Sequence, residues 1–320
     1  MRIVTVEDHY WNEAIAKATK AEDRVMRYNP KLIPILGELG EQRIAAMDAA
    51  GIDFQVISHT EPGVQNMEPK EAIPMARDAN DELLAAIAKY PDRLGGFASL
   101  PTSDPEAAAD ELERAVRLGL LGGFINGLTQ ERFLDDIRFQ PLFERAEALD
   151  VPIYLHPGQP PEAVRAAYYD GFPLAFLLGI GAWGWHSETA LHVLRMVLTG
   201  TFDRHPRLRM IIGHMGEMLP FMIGRLDDVL TQERTGLDKT VSEYLLQHLT
   251  LSTSGLNTTP PFLCAMMTFG IDKIMFAVDY PYGKNQLNVD RLMRLPIGHV
   301  DLERVAHGNA ERVLGLKVPG

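Results

Sequence analysis

Short apolar, β-branched runs recur along the chain, each followed by a longer segment in which apolar residues return every three or four positions. The runs at 3–6, 54–58, 94–100, 121–126, 151–155, 208–213, 249–253 and 274–278 predict eight strands. The segments 41–50, 69–90, 105–118, 141–149, 187–199, 219–230 and 261–269 predict helices, several opening at Pro or directly after Ser or Asp, as a first helical turn prefers. Strands that are apolar throughout, rather than alternating, are covered on both faces, which is the pattern of a parallel sheet wrapped by helices. Eight such units predict an α/β protein folded as one distorted (β/α)8 TIM barrel over residues 1–320. No glycine-rich dinucleotide fingerprint and no phosphate-cradling loop occurs, which argues against an open, doubly wound sheet. Two connections are long, 10–38 after the first strand and 157–186 after the fifth; ordered loops at strand C-termini cover a site or form an interface.

Composition sharpens this picture. With 46% hydrophobic and 23% charged residues the chain can bury an ordinary globular core. Lys and Arg total 31 against 43 Asp and Glu, a net charge of −12 with no basic run, so nucleic acid and membrane surfaces are not expected partners. The single cysteine, Cys264, can form no internal disulfide, and Arg2, Glu7 and Asp8 interrupt any secretory apolar region, so a cytoplasmic location is expected. The longest apolar stretch, 174–185, is too short to span a bilayer.

In such a barrel the chemistry sits at the C-terminal ends of the strands. Four of these ends carry His or a carboxylate: Val6-Glu7-Asp8-His9, Tyr154-Leu155-His156-Pro157, Ile212-Gly213-His214-Met215-Gly216-Glu217 and Ala277-Val278-Asp279-Tyr280-Pro281. Residues i and i+2 of a strand point the same way, so Glu7 and His9 face the axis while Asp8 points away. With His156 and Asp279 they supply two imidazoles and two carboxylates, an open shell for one divalent ion. His214 and Glu217 flank a turn into a helix, where the carboxylate can orient the imidazole for proton transfer; the competing reading is a pair at a helix N-terminus. His59 and His186 lie at the same mouth, within reach of a substrate, whereas His192, His205, His248, His299 and His307 have no partner at ligand spacing.

Glu7-x-His9, the segment from Arg43 through Met47-Asp48 to Gly51-Ile52-Asp53, Tyr154-Leu-His156-Pro157, Phe202-Asp-Arg-His-Pro206 leading to Gly213-His214-Met-Gly216-Glu217, Asp279-Tyr-Pro281-Tyr282 and Gly308-Asn309-Ala310 together resemble the amidohydrolase-related metal-dependent decarboxylases, and among them the γ-resorcylate decarboxylase branch. The resemblance runs from Val6 to Leu314. It implies one divalent metal on Glu7, His9, His156 and Asp279, with His214, backed by Glu217, beside the substrate. It also implies two substrate-binding arginines, Arg43 and Arg225, the latter reaching an adjacent subunit's site. A binuclear hydrolase is disfavoured, because the first jaw is Glu7-x-His9 rather than His-x-His and Asn126 stands where a bridging lysine would.

The activity expected is non-oxidative decarboxylation of a hydroxylated aromatic acid, Asp279 delivering the proton and His214 and Glu217 stabilising charge. Tyr282, Trp183 and Trp185 are the aromatics available to wall the ring. The alternative is a mononuclear hydrolase of a lactone or amide with Asp279 as base; a purely structural or scaffolding metal barrel ranks last, since structural sites are closed. The two imidazoles favour Zn2+ or Mn2+ over Mg2+. The expected partners are a small aromatic carboxylate and other copies of the chain, in a homodimer or homotetramer.

Overall fold

The computed structural model describes residues 1–316. Its strands are β1 (Val4–Tyr10), β2 (Phe54–His59), β3 (Leu94–Gly96), β4 (Ala98–Ser99), β5 (Gly123–Asn126), β6 (Ile153–His156), β7 (Met210–Ile212), β8 (Leu249–Ser252) and β9 (Ile274–Met275). They form two parallel ribbons, β1-β2-β3 and β4 through β9 in chain order. Backbone bonds join the ribbons on both sides. Phe97 N–H donates to Ile57 O at 2.9 Å and Leu121 N–H to Gly96 O at 2.9 Å, while Val6 N–H donates to Phe276 O at 3.2 Å and Asp279 N–H to Glu7 O at 2.9 Å. The result is the expected α/β barrel, distorted where the strands are shortest.

All eight expected runs are strands, but 94–100 is divided in two at Phe97. The break has a packing cause. Gly96 lies so close to the helix Pro69–Lys89 that a Cβ there would come within 2.5 Å of Leu83, and Phe97 turns inward, its ring centre 5.6 Å from that of Tyr154. Inward residues such as Val4, Val56, Phe124 and Ile211 fill the barrel, and Ala310, Val313 and Leu314 join them from the helix Asn309–Leu314. Outward neighbours such as Ile57, Ile125 and Leu155 belong to the layer between strands and helices. Burial on both faces explains why the strands read as continuous apolar runs.

The seven expected helices are present as Glu41–Ala50, Pro69–Lys89, Pro105–Arg117, Gln140–Leu149, Gly184–Leu198, Leu219–Val229 and Thr259–Phe269. Among the helices outside the expected segments are Val241–His248 and Asn285–Leu292. The first opens on a capping box between Thr240 and Glu243. Neither long connection is featureless. The first carries Glu13–Thr19 and Ala21–Tyr28 on a small core of their own around Trp11, Val25 and Leu36; the second carries Glu162–Tyr168 and Ala175–Leu177. They meet above the barrel mouth, where the Arg27 guanidinium lies 4.2 Å from the centre of the Phe176 ring. Among the described residues no helix is long and apolar enough to cross a membrane.

Candidate active site

A bulge in β1 builds the first half of the site. Thr5 pairs with Gln55 but Asp8 with Ile57, so Val6 and Glu7 together oppose Val56. Val6 stays in the inner apolar core, yet Glu7 also reaches the axis and His9 follows it. Asp8 points away, as expected, accepting from the Thr5 hydroxyl and from Tyr280 N–H at 2.9 Å. Burial raises the Asp8 carboxyl to about 6 against the pull of those bonds.

Glu7 is held from one side only. Its Oε2 accepts from the Tyr154 hydroxyl and from Ser252 Oγ at 2.6 Å. Gly213 allows this approach, because a Cβ there would sit 2.8 Å from Oε2. Oε1 is buried with no hydrogen-bond partner among the described residues; it lies 3.5 Å from His156 Nε2 and 3.9 Å from His214 Nε2. His9 is also half-used: Nδ1 meets Ser58 Oγ at 3.2 Å, while the buried Nε2 has no hydrogen-bond partner there and lies 3.2 Å from Asp279 Oδ1. His156 donates from Nδ1 to Pro157 O at 2.8 Å, which leaves its Nε2 lone pair toward Glu7. Burial, reinforced by His9, holds its pKa well below the usual imidazole range, so the ring is neutral. Asp279 completes the group from a left-handed backbone position with φ 68°.

Buried polar atoms are almost always paired, and leaving them unpaired is costly. Glu7 Oε1 and His9 Nε2, facing a neutral imidazole nitrogen and the Asp279 carboxylate, are donors that a divalent cation would satisfy, in the N/O combination that zinc and manganese accept. Glu7, His9 and His156 each offer a ligand atom within 4.8 Å of the others, and Asp279 adjoins this group at His9.

The second half is a strained turn. From His214 to Met218 every residue has positive φ, and only Gly216 adopts it without steric cost. His214 Nδ1 donates to Glu217 Oε1 at 2.7 Å, and His186 Nδ1 donates to Oε2 of the same carboxylate at 2.6 Å. These three residues are close enough to hold an ion, but both carboxylate oxygens are already occupied by imidazole N–H groups. Burial works against a protonated His214, and Glu217, Glu7 and Asp279 outweigh it, carrying the pKa to about 10. For Glu217, burial pushes the carboxyl up, while His214 and His186 hold it below its ordinary value.

Above these groups lies a cavity of about 620 Å³. His156, His214 and Asp279 contribute its polar end, and Tyr28, Phe176, Ile180, Trp185, Leu256 and Tyr282 its apolar walls. The Trp185 ring stands 5.9 Å from His156, and Tyr282 stands 5.8 Å from His9 with its hydroxyl 2.8 Å from Thr60 Oγ1.

The remaining candidate residues take these places. Arg43 is buried behind the site, donating to His9 O at 2.7 Å and Glu38 O at 2.9 Å, and it does not line the cavity. Arg225 is exposed on the helix Leu219–Val229, away from the cavity of its own chain. Trp183 is exposed and does not wall the cavity. His59 is a structural residue: it donates from Nδ1 to Thr60 O at 2.8 Å and accepts from Asn12 N–H at 3.0 Å, and burial lowers its pKa to about 4. His186 does line the cavity. Ser58, Tyr154 and Ser252, the hydroxyls that hold His9 and Glu7, were not anticipated, although each is a polar residue interrupting an apolar run.

A γ-resorcylate decarboxylase of Rhizobium sp. is 37% identical over 87% of this chain and 88% of its own length. The decarboxylase orsB of Emericella nidulans is 35% identical over 98% of this chain and 96% of its own. Among solved structures, a dihydroxybenzoic acid decarboxylase from Polaromonas sp. with bound manganese and the inhibitor 2-nitroresorcinol superposes with a TM-score of 0.90 at 32% identity, covering 99% of this chain and 98% of that one. The amidohydrolase family model matches residues 9–316, and the chain belongs to that family.

Proposed function

We propose that this protein is a metal-dependent carboxy-lyase that removes carbon dioxide from a hydroxylated aromatic acid without an oxidant. The observation that carries the reading is the half-used pair of Glu7 and His9, whose free atoms converge with His156 and Asp279 at the polar end of an otherwise apolar cavity. Named decarboxylases of resorcylate type among the relatives support it.

Glu7, His9, His156 and Asp279 would hold one ion, manganese or zinc ahead of magnesium, and manganese is the ion in the Polaromonas structure. When bound, the ion supplies positive charge for a carboxylate and its ortho oxygen and fixes their orientation. The ring then lies between Trp185 and Tyr282, both on the cavity wall. Asp279, having taken up a proton as the substrate enters, delivers it to the ring carbon that bears the carboxylate; the carbon–carbon bond breaks, its electron pair returns to the ring and carbon dioxide leaves. His214, protonated through Glu217, stabilises negative charge on the substrate. Arg43 acts on the site by fixing the His9 carbonyl rather than by touching substrate.

Arg225 shares its helix with the exposed Phe221 and Met222. That apolar face is where a second copy would pack, in a homodimer or a homotetramer, bringing Arg225 to the neighbour's cavity. The lone Cys264 fits a reducing cytoplasm.

The test is release of carbon dioxide from a panel of mono- and dihydroxybenzoates by the metal-loaded protein. Turnover of one or more supports the reading. Inactivity on the whole panel, with opening of a lactone by the same preparation, overturns it in favour of a hydrolase.

A further inference from the structure

His186 lies outside the expected metal shell and outside the His214–Glu217 pair, yet it joins them to the cavity wall. Its Nδ1 holds Glu217 Oε2 at 2.6 Å, and its Nε2 lies 2.9 Å from Gly181 O. Glu217 Oε1 in turn holds His214 Nδ1 at 2.7 Å. Both partners of His186 are acceptors, so its ring donates from both nitrogens, and three hydrogen bonds run from the backbone of the cavity wall to the imidazole beside Glu7. Gly181 and its neighbours Ile180 and Ala182 all line the cavity.

A carboxylate with one oxygen bonded can still rotate about its last torsion, which is broad and two-fold. Glu217 sits on the strained turn, where no regular helix fixes its side chain. The bond from His186 occupies the second oxygen and removes that freedom. The ring planes of His186 and His214 are 66° apart with centres at 4.9 Å, so the two imidazoles also pack edge to face.

We propose that His186 is a positioning residue with two separable tasks: through Glu217 it fixes the orientation of His214, and through Gly181 it fixes the segment Leu178–Ala182 as a wall of the substrate cavity. The kinetic part of this inference rests on the decarboxylase reading; the hydrogen-bond part does not. The two tasks use different nitrogens, so two amides divide them. The Asn side-chain nitrogen sits near the place of Nδ1 and that of Gln near the place of Nε2.

The experiment uses the full-length, zinc-loaded enzyme with 15N-labelled histidine, and compares His186→Ala, His186→Asn and His186→Gln with wild type. His186→Ala should lower kcat about 10- to 100-fold, the usual cost of removing a partner that orients a functional imidazole, should raise KM through the loosened cavity wall, and should broaden or shift the downfield Nδ1–H proton signal of His214. His186→Asn should restore kcat and the signal while KM stays raised; His186→Gln should restore KM and leave kcat low. Wild-type kcat with an unchanged His214 signal in His186→Ala overturns the proposal, as does identical behaviour of the Asn and Gln variants. If the His214 signal responds as stated but the wild type turns over no hydroxybenzoate, the decarboxylase reading fails and the positioning role of His186 stands.

Discussion

Ser252 and Glu7, 245 positions apart in the chain, share a 2.6 Å hydrogen bond across the inside of the barrel. The Tyr154 hydroxyl donates to the same carboxylate oxygen. Two other strands, β6 and β8, thus hold one edge of Glu7 and leave its other oxygen free to face His156. The carboxylate is oriented before any ion arrives, which reduces the ordering that binding must supply.

Tyr154→Phe should weaken divalent-ion binding about 10- to 100-fold, because it removes one of the donors that orient Glu7 while its ring still fills the inner core. Titration of metal-free protein with Mn2+ or Zn2+, alongside an unfolding curve, checks this. Unchanged affinity would show that Ser252 alone suffices.

The repeating period of the barrel was legible because each strand is buried on both faces and each helix on one, and parity named Glu7 and His9 as the inward pair of the first strand. Two things were not legible. Parity places Glu7 opposite Val6, and only the bulge lets both face inward; a bulge is a matter of pairing between β1 and β2, which no local pattern reports. The destinations of Arg43 and His59 depend on long-range partners, the His9 carbonyl 34 residues away and the Asn12 amide 47 residues away. The helix Val241–His248 was readable in principle, since Thr240 and Glu243 stand at capping-box spacing.

His192 sets one pH dependence of stability. It is buried and accepts from Leu134 N–H at 2.7 Å, and burial, with Arg195, lowers its pKa to about 3. Because the folded value lies below the unfolded 6.5, the unfolded chain binds the extra proton between them. The contribution is full above pH 6.5 and is lost as pH falls toward about 3, at about 1.4 kcal/mol per pH unit. His192→Gln, which cannot titrate, should show a shallower loss of stability over pH 6.5 to 4.5 than wild type by that slope. Parallel curves in denaturant unfolding would refute the assignment.

Association is the next expectation. Phe221 is 82% exposed on the helix that carries Arg225, so Phe221→Glu should shift light scattering from an oligomer toward one chain and lower activity with it. Arg225→Ala and Asp279→Ala chains, each inactive alone, should regain part of the activity when mixed and re-associated, since a mixed pair contains one site with both residues intact. No recovery in the mixture would refute a site shared between chains.

Asp279 carries the last prediction. Its amide N–H is tied to Glu7 O at 2.9 Å and its carboxylate lies 3.2 Å from His9 Nε2, so Asp279→Asn should leave the fold and the backbone geometry in place. An amide cannot deliver a proton, and general acid catalysis contributes about 10²- to 10⁴-fold; turnover should fall by at least that factor. Asp279 is also a proposed metal ligand, and loss of the ion would mimic loss of the acid. The two causes separate if metal content and binding of an ortho-hydroxybenzoate are measured on the same sample as the rate. Retained ion, retained binding and no carbon dioxide assign the proton to Asp279. Loss of the ion, with activity restored by excess Mn2+, assigns it to the metal shell alone. His214→Ala should keep the ion and show a smaller fall, since His214 stabilises charge and donates no proton to the ring in this scheme.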